Sequence, residues 1–178
     1  MHQTPSQAAR HYRPPPHNSF KPAVDVRWAH PSQTPPPFIN LDRKQSGRRA
    51  EGIRYERKVH DKLRSRYPVY FDGQWFRFSS VYPNGARWCQ CDGLIIDPKA
   101  GCITIIECKY QHTFDAWYQL FQLYLPVVQV AFGPMWAVSC CEVVKWYDPA
   151  VAGEPRPTLV ASPDLARPGQ FAVHILKP

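Results

Sequence analysis

Asp92, Glu107 and Lys109 stand at the ends of two otherwise apolar runs, Cys91-Asp92-Gly93-Leu94-Ile95-Ile96 and Ile103-Thr104-Ile105-Ile106-Glu107-Cys108-Lys109. Charged side chains enter such runs rarely unless they pair with one another or hold a metal. Mg²⁺ prefers hard oxygen ligands and takes a few carboxylates, with waters and phosphate oxygens completing the shell. An ion held there polarises a phosphoryl group and eases the formation of hydroxide from bound water. A lysine beside the carboxylates positions that water and offsets the charge that builds on the phosphate. The chemistry these residue types and spacings suit is metal-dependent phosphodiester hydrolysis. The plain alternative is that Glu107 and Lys109 only pair with each other, Asp92 caps a turn and Glu56 answers an arginine.

The elements around these residues must bring them together. Side chains alternate along a strand, so Ile103, Ile105, Glu107 and Lys109 share one face of a strand over 102–109, and Thr104, Ile106 and Cys108 share the other. Asp92 falls on the face of Leu94 and Ile96 in a strand over 87–96. The turn Asp97-Pro98-Lys99-Ala100-Gly101 joins the two as an antiparallel pair, which lets Asp92 and Glu107 share one divalent cation. Ahead of them, Ile53, Val59, His60, Leu63 and Tyr67 recur at helical spacing over 47–67, and Pro68 closes that helix. Glu56 falls between Ile53 and Leu63, on the face expected to be buried, and supplies a third acid. Asp72-Gly73, between Val69–Phe71 and Trp75–Phe78, reads as a hairpin turn, and Pro83-Asn84-Gly85 as another turn. Phe114, Trp117, Leu120, Phe121, Tyr124, Val127 and Val128 mark a second helix over 114–131, which Pro126 should kink or shorten. A last core strand spans 135–147. The fold class expected is α/β around a small mixed sheet.

These residues resemble the PD-(D/E)XK nuclease superfamily. The motifs that carry the resemblance are Gly52-Ile53-Arg54-Tyr55-Glu56 on the first helix, Cys91-Asp92-Gly93 on one strand and Glu107-Cys108-Lys109 on the next. The resemblance covers about 52–146. The helix with Gln119, Gln122 and Tyr124 is similar to the glutamine-bearing helix of RecB-like and phage-exonuclease branches, although Leu123 breaks the Gln-x-x-x-Tyr spacing. The residue before Asp92 is cysteine where the motif has proline. What the resemblance implies is a restriction-endonuclease-like α-β-β-β-α-β core, Mg²⁺ or Mn²⁺ as cofactor, and DNA as substrate. It implies Asp92 and Glu107 as metal ligands, with the Cys108 carbonyl as an extra ligand. Lys109 would be the catalytic lysine, and Glu56 would bind metal or water.

Charge and composition point the same way. The chain of 178 residues has a formal net charge of +8, which favours a polyanionic partner. Arg54, Arg57 and Lys58 are candidate phosphate contacts on the first helix, with Gln119 and Gln122 on the second. His60 and His112 read first as packed or loop histidines. Tyr110, Trp117 and Tyr118 read as core aromatics before base-stacking ones. Residues 1–46 hold nine of the 20 prolines and lack apolar periodicity. They are expected to form an extended basic arm, partly polyproline II. The core is expected over 47–148, followed by a proline-rich extension over 149–178 with a short strand over 170–176. The arm could track nucleic acid or dock on protein neighbours, as in a phage virion neck that carries a head-completion nuclease. The six cysteines lack Cys-x-x-Cys spacing and are expected as reduced, mostly buried thiols. No apolar run is long enough to span a membrane, and no secretory leader is expected. The location expected is cytoplasmic, or the virion.

Overall fold

The computed structural model describes residues 21–36, 48–82, 85–150 and 155–177. Two sheets enclose a helix. The larger sheet has six strands: β2 (Tyr70–Asp72), β5 (Gly93–Asp97), β6 (Cys102–Gln111), β7 (Ala137–Trp146), β9 (Phe171–Ile175) and β8 (Thr158–Leu159), in that spatial order. The smaller sheet has the order β1 (Val24–Ser32), β3 (Trp75–Tyr82) and β4 (Gly85–Gln90). Helix α1 (Arg48–Arg66) covers one face of the six-stranded sheet. The second helix lies between the two sheets. It comprises α2 (Phe114–Tyr118), a π-helical stretch (Gln119–Tyr124) and α3 (Leu125–Phe132).

The larger sheet is mixed. β5 runs antiparallel to both β2 and β6, whereas β7 is parallel to both β6 and β9. A parallel pair needs a crossover connection, and the second helix supplies it between β6 and β7. Central parallel strands are covered on both faces and read as continuous apolar runs; in β7, Val138 to Val144 are all buried. The turn of the β5–β6 hairpin is fixed by Asp97, whose Oδ1 accepts the Lys99 and Ala100 N–H groups at 3.0 Å each.

Strand alternation divides the core as the sequence pattern requires. Leu94, Ile103, Ile105, Val138, Cys140 and Val144 pack towards the second helix and the small sheet. Ile95, Ile106, Cys141, Val143 and Ala172 pack under α1, against Tyr55, Val59 and Leu63. Truncating any fully buried leucine or isoleucine of this core to alanine costs about 2–5 kcal/mol. All six cysteines are free thiols, and Cys89, Cys91, Cys140 and Cys141 are buried. Burial pushes their thiols up, Cys89 to about 12, which keeps them protonated and inert. Among the described residues no helix is long and apolar enough to cross a membrane.

Four sequence expectations are corrected. First, part of the expected arm is structure: β1 pairs antiparallel with β3, and Ala23 and Ala29 are buried. The proline density of 1–46 obscured a short alternating segment whose partner lies some fifty residues away; residues 1–20 and 37–47 lie outside the described residues. Second, Asp72-Gly73 is a crossing point between sheets. β2 pairs with β5 and β3 with β1 and β4, so the chain changes sheet at Gly73, whose φ of 62° lies in the left-handed region. Third, the single strand expected over 87–96 is two, β4 and β5, which belong to different sheets and part at Cys91-Asp92. Fourth, Pro126 does not shorten the helix, which runs on to Phe132. The wide turn before it carries the Leu125 N–H to the Leu120 carbonyl, a five-residue step that keeps the helix going up to the residue that lacks a donor. Strands β3 and β4 do pair across the turn expected at 83–85, although Pro83 and Asn84 lie outside the described residues. The expected C-terminal extension is built into the sheet: β9 sits between β7 and β8, with Ala172 and Val173 fully buried.

Candidate metal and active site

The break between β4 and β5 creates the site. β5 begins at Gly93, opposite Ile106, so the ladder between β5 and β6 ends one step short of Glu107. Asp92, just before the ladder, turns its side chain onto the strand that has lost its partner, and its Oδ2 accepts the Cys108 N–H at 2.7 Å. In an antiparallel strand the N–H and C=O of one residue leave on the same side. The Cys108 carbonyl therefore also faces the gap beside Asp92. The sheet's unpaired edge is thus satisfied in part by the carboxylate whose chemistry is in question.

Glu107 is 2% exposed. Its Oε1 accepts a 2.5 Å hydrogen bond from Lys109 Nζ; its Oε2 is buried without an N–H or hydroxyl donor, and the Asp92 carboxyl lies within hydrogen-bonding reach of the Glu107 carboxylate. An unpaired carboxylate oxygen in the interior costs more than its paired twin returns. Burial, then the neighbouring Glu107 and Glu56 carboxylates, hold the Asp92 carboxyl well above its usual range, against the Cys108 N–H and Lys109. Burial likewise raises the Glu107 carboxyl, opposed chiefly by Lys109. Burial works to lower the Lys109 ammonium, but Glu107, Asp92 and Glu142 outweigh it, and the group is held above its ordinary value and charged.

Glu56 is close enough to act on Asp92 and Glu107 through its charge, but its carboxylate engages His60 Nε2 at 3.4 Å and is 39% exposed. The buried stripe of α1 runs through Tyr55, Val59 and Leu63, with Ile53 only half-buried. Glu56 therefore sits at the stripe's margin, not at its centre as the spacing suggested. Tyr55 takes the central place because its ring packs edge-on against Tyr110 and its hydroxyl donates to the Leu176 carbonyl at 3.2 Å. His60 is a hydrogen-bonded core histidine, with Nδ1 2.6 Å from the Tyr70 hydroxyl. That hydroxyl packs against Gly93, where a Cβ would lie 2.4 Å from it. The Asp-Gly pair is thus a steric requirement as well as a motif.

Among the described residues no three His, Cys, Asp or Glu side chains form a ready metal-binding group. The expected convergence of Glu56, Asp92 and Glu107 on one ion is to that extent corrected. The donor set nevertheless fits a hard divalent cation. Two mutually repelling carboxylates lie side by side, one has an unpartnered oxygen, and a backbone carbonyl faces the same gap. Mg²⁺ with two protein carboxylates and the remainder water and phosphate needs no more.

The other expected residues separate. Arg54 and Lys58 line a cleft of about 250 Å³ with Glu51, Tyr55, Tyr110 and Lys145. Arg57 is exposed outside it. Gln119 is buried with its Oε1 unpartnered. The π-helical turn places Gln119 and Tyr124 together on the buried side, and Tyr124 lies close enough to Glu107 and Asp92 for both to raise its hydroxyl, after burial itself. The lost Gln-x-x-x-Tyr spacing is therefore offset in three dimensions by the extra residue in the turn. Gln122 is half-buried, and its backbone carbonyl accepts the Ala23 N–H at 2.8 Å, which anchors the start of β1.

Sequence reasoning missed Glu142. It is the register partner of Glu107 on β7, fully buried, with His112 Nδ1 2.5 Å from its Oε2 and the Thr113 N–H 3.4 Å from its Oε1. The available signal was its position inside the apolar run Val138–Val144, the same anomaly that singled out Glu107. Compared with family models, curated proteins and solved structures, the chain matches none of them.

Proposed function

We propose that the chain is a metal-dependent DNA nuclease, an endonuclease, that hydrolyses phosphodiester bonds at Asp92, Glu107 and Lys109. The observation that carries this reading is the strand break: it sets Asp92 beside Glu107, leaves Glu107 Oε2 without a partner, and holds a charged Lys109 on Glu107 Oε1. The order of elements supports it too. Helix α1, the antiparallel strands β2, β5 and β6, the second helix and parallel β7 follow one another as in an α-β-β-β-α-β nuclease core, with the β3–β4 hairpin inserted between the first two strands.

Asp92 and Glu107 would hold Mg²⁺ or Mn²⁺, with the Cys108 carbonyl as a further oxygen. When bound, the ion supplies Lewis-acid polarisation of the phosphate and a more acidic water. Lys109, anchored by Glu107, donates hydrogen bonds into the same gap and offsets the negative charge that grows on the phosphate during attack. Glu56, tethered to His60, accepts a hydrogen bond from a water at the margin of the site. Arg54 and Lys58 in their cleft, with Lys145, give phosphates further along the strand a cationic wall.

Incubating supercoiled plasmid with the protein in Mg²⁺, Mn²⁺ or EDTA tests the reading. Nicking with either metal and none with EDTA is the expected result. Intact plasmid under every metal condition, with the protein folded, overturns it. Cleavage of linear DNA alone would move the assignment from endonuclease to exonuclease.

A further inference from the structure

The outer face of the three-stranded sheet carries side chains that the proposed hydrolysis does not use. The inner face, with Ala29, Phe76, Phe78 and Cys89, packs into the core. Alternation sends the intervening residues outward. Register then aligns them across the strands: His30 opposite Arg77, and Arg77 opposite Trp88, form one row, and Trp75 opposite Gln90 forms the next. Beyond them Trp28 stacks on His30, with ring centroids 5.5 Å apart and planes at 24°, and the Arg77 guanidinium lies 5.9 Å from the Trp28 ring. Trp28, Trp75 and Trp88 are half-buried, whereas His30 and Arg77 are exposed.

Half the tryptophans of the chain thus lie on one small open sheet, around an exposed arginine. None of the three is fully buried, so part of each ring is open to a ligand. Flat aromatic faces interleaved with a cation are what unpaired bases stack on, because every base has a π-face and its phosphate an anion. The platform adjoins the site along the chain. β4 ends at Gln90, two residues before Asp92, a reach of about 7 Å along an extended chain. The net charge of +8 complements a polyanion.

We propose that the outer face of the β1–β3–β4 sheet binds an unpaired DNA strand, stacking its bases on Trp88, Trp75 and Trp28, with Arg77 on the backbone, and delivers that strand to the gap beside Asp92. This rests on the nuclease reading for what is delivered, but the binding itself is measured separately.

The experiment is fluorescence anisotropy of labelled oligothymidylate with the full chain in EDTA, with a duplex of equal length as control. Trp88→Ala and Arg77→Gln each weaken oligothymidylate binding by roughly tenfold, and Trp88→Phe retains most of the affinity. Duplex affinity changes less. Because Arg77 is exposed, its substitution leaves the fold intact and decides the matter should Trp88→Ala unfold. Unchanged oligothymidylate affinity in Arg77→Gln, with Trp88→Ala also unchanged or unfolded, overturns the proposal. So does loss of self-association in these variants with oligothymidylate affinity intact, which would make the face an interface between copies. A protein that binds through Trp88 and Arg77 yet cleaves nothing with Mg²⁺ keeps the platform and removes the nuclease reading. One that cleaves with an affinity indifferent to both residues does the reverse.

Discussion

Glu107 and Glu142 are neighbours in one sheet, register partners on adjacent parallel strands, and both are buried with a side-chain nitrogen at 2.5 Å, of Lys109 and His112 respectively. Their surroundings differ. Both oxygens of Glu142 are engaged, by His112 and the Thr113 N–H, and His112 is walled in by Tyr147 and Phe171. Glu107 has one engaged oxygen and one idle one, a lysine whose side chain is 26% exposed, and a second carboxylate beside it. Glu142 is a closed account of hydrogen bonds that holds the start of the second helix to the sheet. Glu107 leaves valence unused at the place where the sheet loses a strand. A buried acid marks a site when its surroundings leave it incomplete, not because it is buried.

Substitutions should separate the two acids. The largest effect expected is on turnover: Lys109→Ala lowers the rate of plasmid cleavage by about 10²–10⁴-fold, read from nicking time courses with Mg²⁺. An undiminished rate would put Lys109 in the same structural class as His112.

Next is Glu142→Ala, which strips the partner from His112 and the Thr113 N–H. It is expected to cost about 3–5 kcal/mol of stability in denaturant unfolding. Gly93→Ala drives a Cβ into the Tyr70 hydroxyl and should cost about 1–3 kcal/mol. Adding Tyr70→Phe, which removes that hydroxyl, should recover part of the loss in the same assay.

The smallest effect has the opposite sign. The Asp92 carboxyl is raised above its usual range, first by burial and then by Glu107. In EDTA the folded protein therefore keeps the Asp92 proton at a pH where the unfolded chain has lost it. Stability from this group falls as pH rises from the ordinary carboxylate range through the raised value, and recovers as pH falls. Asp92→Asn removes that charge and is expected to stabilise the metal-free protein at neutral pH by on the order of 1 kcal/mol, with a flatter pH profile of melting temperature. Destabilisation by Asp92→Asn would mean that the carboxylate's stronger, charge-assisted bond to the Cys108 N–H outweighs the repulsion.

Much of this contrast was legible in the sequence, and the reasons it stopped are physical. Alternation over 102–109 correctly put Ile103, Ile105 and Glu107 on one face and Ile106 and Cys108 on the other, because a strand buried on both sides keeps its period. The two helices were legible from their apolar spacing, α1 to within a residue at each end. What failed was pairing. Val69–Phe71 and Trp75–Phe78 look like the arms of a hairpin, but which sheet a strand joins depends on partners far away in the chain, such as β1 within the proline-rich start. The break at Cys91-Asp92 was hidden for the same reason: local β-propensity runs through it, and only the switch of partners interrupts it. Glu142 escaped because strand periodicity places a residue on a face without revealing what that face meets, here His112 and the Thr113 N–H.

The most direct measurement of the contrast is Mn²⁺ binding, followed by titration calorimetry or electron paramagnetic resonance in the wild type, Glu107→Gln and Glu142→Gln. Binding by the wild type and by Glu142→Gln, and its loss in Glu107→Gln, is the result the Asp92–Glu107 site predicts. Equal Mn²⁺ binding by wild type and Glu107→Gln, or loss only in Glu142→Gln, would contradict it.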